Sequence, residues 1–122
     1  MIRGIGTDIV ETDRISRAIK KDFFLKRAFS DSEIAMARKR NTDSFLAGNF
    51  AAKEAFVKAL GLGFRGIELK DFEVLRDEYG KPFIRISNHS NIHLKDINEK
   101  NIYVSISNTK SVAVAMVVIE VN

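Results

Sequence analysis

The sequence predicts an α+β fold with one long helix over residues 44–60. Two observations carry this. Apolar residues recur at helical spacing from Ile15 to Leu60, whereas from Phe72 onward they alternate or run unbroken as strands do. Apart from one opening strand, the two patterns are segregated along the chain, as in α+β proteins. With 122 residues there is room for one domain, 1–122, that buries about two-thirds of its unfolded surface.

Residues 2–10 (IRGIGTDIV) are β-branched and apolar up to a charged segment, which reads as a strand. Ile15, Ala18 and Ile19 then fall at helical spacing, with Arg14, Arg17, Lys20 and Lys21 elsewhere around the cylinder. Ser30 followed by Glu33 is a capping box that opens a helix across Ile34 and Ala37. Asp43 or Ser44 starts the longest helix, 44–60, which Gly61 can terminate. Residues 72–77 (FEVLRD) and 82–87 (PFIRIS) flank Glu78-Tyr79-Gly80-Lys81 as a hairpin. The only proline, Pro82, sits at a strand start, where it is tolerated. Residues 88–100 are polar and poorly patterned, a loop or a weak helix. Residues 102–107 (IYVSIS) alternate, and 112–121 (VAVAMVVIEV) is apolar on both faces. A strand buried on both faces belongs to a sheet covered twice, and for so short a chain the second cover points to another subunit.

Composition narrows the function classes. Hydrophobic residues make up 45% and charged residues 30%, the balance of a soluble globular protein. With no cysteine, a disulfide scaffold, a thiol nucleophile and a zinc–cysteine site are excluded. No leader pattern and no apolar run of membrane-spanning length is present, so a cytoplasmic protein is expected. The net charge of +4 lies entirely in residues 1–40, which hold ten Lys+Arg against six Asp+Glu. That asymmetry suggests an acidic partner docking at one place, or simply solvated helix faces.

Most motif-like strings have a structural explanation. Gly61-Leu62-Gly63-Phe64-Arg65-Gly66 matches G-x-G-x-x-G, but helix precedes it and strand follows, the reverse of a dinucleotide site. His89 and His93 lie in polar surroundings without a zincin pattern and read as solvated. Phe23, Phe24, Phe29, Phe45, Phe50 and Phe56 are expected in the core. Two features resist such readings. Glu54 and Lys58 share one face of an otherwise small, apolar helix whose alanines admit close backbone approach. Asp8 is a carboxylate inside an apolar strand, just after Gly4 and Gly6, and needs a partner or a cation.

Four segments occur in order: G-I-G-T-D-I-V-E at 4–11, F-A-A-K-E-A-F-V-K-A-L-G at 50–61, G-K-P-F at 80–83 and S-I-S-N-T-K at 105–110. Over essentially its whole length the chain resembles the holo-acyl-carrier-protein synthase family of phosphopantetheinyl transferases. The resemblance implies the α+β phosphopantetheinyl transferase fold, a mainly antiparallel sheet packed with helices with 44–60 as the long central helix, assembled as a homotrimer with CoA in clefts between subunits. It implies transfer of 4'-phosphopantetheine from CoA to a serine of apo acyl carrier protein, releasing adenosine 3',5'-bisphosphate, in the service of fatty acid biosynthesis. Partners would be CoA and the carrier protein, not nucleic acid and not a membrane. By the same resemblance Asp8 and Glu54 are the Mg²⁺ carboxylates and Lys58 lies near the CoA phosphates. Gly80, Lys81 and Pro82 form a turn near the nucleotide, and the first helix, with Arg14, Arg17, Lys20 and Lys21, docks the carrier protein.

Elementary chemistry agrees with this set. Attack of a hydroxyl on a pyrophosphate phosphorus gathers charge on phosphate oxygens, and two carboxylates holding Mg²⁺ plus a lysine suffice to clamp it. Glu54 could also orient a water that takes the serine proton. The chain departs from the family at Asn49, where a basic residue is usual, and at Asn108, where a histidine is usual; both belong to the phosphate-binding environment. Their loss implies weaker CoA affinity, a shift of load to Lys81 or Lys110, or an impaired enzyme. A basic nucleic-acid- or anion-binding module is the alternative from another class.

Overall fold

Helix α4 (Thr42–Leu60) is the axis on which the other elements pack. The structure, a computed structural model, describes residues 1–61, 66–87 and 94–121. The Asn41 side chain accepts from the Ser44 amide at 3.2 Å and caps α4, so the helix opens two residues before the expected 44. Gly61, in the left-handed region at φ 76°, ends it. The rest of the G-x-G-x-x-G string, Leu62 to Arg65, and both His89 and His93 lie outside the described residues.

Before α4 come β1 (Ile2–Glu11), α1 (Thr12–Ala18), α2 (Asp22–Ala28) and α3 (Asp31–Arg38). Helix α3 opens on the expected capping box: the Ser30 side chain accepts from the Glu33 amide, and Glu33 accepts from the Ser30 amide. After α4 come β2 (Phe72–Arg76) and β3 (Pro82–Ile86), an antiparallel hairpin forming its own small sheet. The last strands, β4 (Ile102–Asn108) and β5 (Val112–Glu120), join β1 in a three-stranded antiparallel sheet of order β1-β5-β4.

One face of that sheet lies on α4. From β1, Gly4 and Gly6 face the helix so closely that a Cβ on either would collide with the carbonyl oxygen of Ala59 or Ala55. Glycine on the strand and alanine on the helix are thus one feature, a backbone-to-backbone contact. Ala113, Ala115, Val117 and Ile119 of β5 complete this buried layer with Phe56 and Leu60.

The opposite face is open. Side chains alternate across a strand, and Ile5, Ile9, Val114 and Met116 are 64%, 67%, 41% and 51% exposed. The double burial expected for 112–121 is therefore not achieved within one chain. A correction concerns Phe23, which is 75% exposed beneath the Arg27 guanidinium instead of lying in the core. It stands in the first turn of a seven-residue helix whose buried side is taken by Ala28. Phe29, Phe45, Phe50 and Phe56 are buried as expected, and Phe24 packs against them.

Candidate active site

The close contact of β1 with α4 decides where the first-strand carboxylate goes. Gly4, Gly6 and Asp8 share the inward face of β1, and Asp8 follows the two glycines just where α4 presents Glu54 and Lys58. The Lys58 ammonium lies 3.2 Å from Asp8 Oδ1 and donates to the Thr7 carbonyl oxygen at 3.0 Å. The lysine therefore spans to β1 and pairs with Asp8, rather than with Glu54 one turn back. Asp8 keeps 18% of its side chain exposed and Lys58 56%, so the pair opens on solvent and a ligand can reach it.

Glu54 is half-buried beside this pair. Burial and the negative charge of Asp8 push its carboxyl up, while Lys58 and Arg14 pull it back down. Two carboxylates close enough to repel are a configuration that a cation relieves. Mg²⁺ commonly takes one or two protein carboxylates and completes its shell with phosphate oxygens and water, so Asp8 and Glu54 fit it. A dedicated cage is absent: among the described residues no three His, Cys, Asp or Glu side chains converge.

The remaining predicted residues fall elsewhere. Gly80, at φ 83°, and Lys81 form an exposed turn closed by Asp77, whose carboxylate accepts from the Tyr79 and Lys81 amides; Pro82 begins β3. Asn108, at the end of β4, donates to the Ser44 carbonyl oxygen at 3.2 Å in the first turn of α4. Arg14, Arg17, Lys20 and Lys21 are exposed on α1 and the link to α2.

Asn49 is 0% exposed, and its amide donates to Glu33 and to the Val74 carbonyl oxygen, both at 2.9 Å. It faces α3 and β2 inside the molecule. The same interior holds Lys53, also 0% exposed, paired with Glu33 at 2.7 Å.

One cationic feature escapes sequence reasoning. The Arg76 guanidinium lies 4.5 Å from the centre of the Phe45 ring and that of Arg40 lies 5.4 Å from it. Burial, then the charge of Arg40, pulls Arg76 down to about 10, and neither arginine has a carboxylate partner among the described residues. No short-range pattern announces the pair, because Phe45 brings together residues from the α3–α4 link and from β2.

Residues 4–117 match the family described as the 4'-phosphopantetheinyl transferase superfamily. A holo-[acyl-carrier-protein] synthase of Clostridium botulinum (strain Eklund 17B / Type B) is 51% identical over 124 residues, covering 99% of both chains. A solved holo-(acyl-carrier-protein) synthase from Bacillus anthracis, in complex with CoA (3',5'-ADP), is similar at TM-score 0.83 and 36% identity, covering 100% of this chain and 99% of that one. The Helicobacter pylori holo-[acyl-carrier-protein] synthase in complex with coenzyme A is similar at TM-score 0.81 and 33% identity, covering 95% and 99%.

Proposed function

The chain belongs to the 4'-phosphopantetheinyl transferase superfamily, and from that premise we propose that it moves 4'-phosphopantetheine from CoA to a serine of apo acyl carrier protein. The observation that carries this is the meeting of Asp8, Glu54 and Lys58 across the β1–α4 contact. In the reaction the serine oxygen forms a bond to the pantetheine-bearing phosphorus as the bond to the bridging pyrophosphate oxygen breaks. Adenosine 3',5'-bisphosphate leaves.

Asp8 and Glu54 would hold Mg²⁺. The ion, when bound, neutralises charge gathering on the pyrophosphate oxygens. Lys58, solvent-facing and already positioned by Thr7 and Asp8, turns its ammonium to the same oxygens. Glu54 would orient a water that takes the serine proton as the new bond forms. Phosphate charge that Asn49 and Asn108 cannot meet falls to Arg76 and Arg40, whose forked donors suit a phosphate. Their ring, Phe45, is next to Ser44, where Asn108 is bound. The exposed basic α1 receives the carrier protein, the open sheet face assembles a trimer, and the product serves fatty acid biosynthesis in the cytoplasm. Among the described residues no helix is long and apolar enough to cross a membrane.

The test is direct. Purified protein, CoA, Mg²⁺ and apo acyl carrier protein are incubated, and the carrier is weighed by mass spectrometry. A gain of one phosphopantetheine, lost on adding a chelator, is expected; an unchanged carrier mass refutes the reading.

A further inference from the structure

Where it crosses Gly6 and Gly4 of β1, helix α4 presents only the small residues Ala55 and Ala59. Such a surface has little relief to resist sliding or rotation. Yet a turn of one residue, about 100°, would carry Lys53 to the place of Glu54. Something else must set the register of the helix.

The other flank of α4 supplies it. Phe45, Asn49 and Lys53 recur every four residues, about 6 Å apart along the helix. Strand β2 passes them with Arg76, Val74 and Phe72, two residues and about 6.6 Å apart. The spacings match, and each level is joined. Arg76 lies over the Phe45 ring at 4.5 Å, Asn49 donates to the Val74 carbonyl oxygen at 2.9 Å, and Lys53 donates to that of Phe72 at 2.8 Å. Lys53 also donates to the Leu69 carbonyl oxygen at 2.8 Å and pairs with Glu33 at 2.7 Å, so its three ammonium protons are all placed. Glu33 binds Asn49 as well, tying two levels together through α3.

We propose that this buried ladder, with Lys53 and Glu33 at its head, is a positioning device that fixes the register of α4 so that Glu54 and Lys58 face Asp8. Directional hydrogen bonds do what alanine packing cannot. Lys53 is thus a positioning residue, not a catalytic one. The inference rests on the transferase reading for its activity readout only.

Lys53→Met keeps length and bulk but loses the three directed bonds. Ile84→Ala is the control, a buried truncation in β3 that lies opposite Val74 but removes none of the ladder's hydrogen bonds or ring contacts. Both variants should melt at lower temperature than the wild type. Below melting, Lys53→Met should lose at least tenfold in kcat per folded molecule, with KM for carrier protein unchanged. The rise in Tm expected when Mg²⁺ is added to the wild type should shrink. Ile84→Ala should keep both kcat and the Mg²⁺ response. If folded Lys53→Met keeps them too, the ladder is merely structural and the proposal falls. Should Lys53→Met not fold, Asn49→Ala, which removes one level, carries the test; an intermediate fall in kcat supports the proposal and an unchanged kcat overturns it. Absence of transfer in the wild type counts against the transferase reading, and the Mg²⁺ response still tests the ladder.

Discussion

Glu54 shows how a site residue costs stability. Its carboxyl is pushed up first by burial and then by Asp8, so the folded protein binds this proton more readily than the unfolded chain does. The ionised form therefore weighs against folding at neutral pH, and that penalty disappears as pH falls through the raised folded value. Glu54→Gln, without Mg²⁺, should raise Tm at pH 7 by about 1–3 °C. The gain should vanish toward pH 4, and transfer should be abolished at every pH. Melting curves in chelator across that range check the sign, and a variant less stable than the wild type at pH 7 would falsify it. At the phosphate end, Arg76→Met should raise KM for CoA by about three- to tenfold, with KM for carrier protein unchanged. Steady-state kinetics with each substrate varied in turn distinguish this from a general loss.

At the scale of elements, α1 and its link to α2 carry exposed charge away from the Asp8–Lys58 pair. Arg14 is the exception, because its charge reaches Glu54 and helps hold that carboxyl down. Arg17, Lys20 and Lys21 are the cleaner set. Changing all three to glutamate should raise KM for carrier protein at least tenfold while KM for CoA barely moves, and added salt should mimic the change in the wild type. Equal weakening toward both substrates would mean that α1 supports the fold instead. Much of this arrangement is legible in the sequence because the signals are local: the Ser30–Glu33 box, the i,i+4 pair of Glu54 and Lys58, and a carboxylate inside an apolar strand. What is not legible depends on distant packing. Asn49 resembles a site position by its place in the motif, yet its partner Val74 is 25 residues away in β2. Arg76 acquires meaning only once β2 lies on Phe45. Lys58 looks paired with Glu54 until the glycines of β1 bring Asp8 within reach.

For the whole molecule, the decisive surface is the face of the β1-β5-β4 sheet turned away from α4. Ile5, Ile9, Val114 and Met116 cluster on it, since Ile9 pairs with Val114 and Met116 lies opposite Thr7. Side by side on adjoining strands they make a contiguous apolar patch, which a monomer in water rarely keeps open. Isologous pairing would close a dimer, whereas a cyclic arrangement closes at three if each chain also offers a different second surface. Light scattering should give three times the 13.8 kDa chain mass at working concentration. Ile9→Lys with Met116→Lys should leave each chain folded by circular dichroism, because neither side chain enters the core under α4. The double variant should be monomeric and should lose transfer if the sites form in clefts between subunits. A monomeric variant with wild-type turnover would show that each chain holds a complete site. A dimeric wild-type mass would mean that the sheet face pairs with itself.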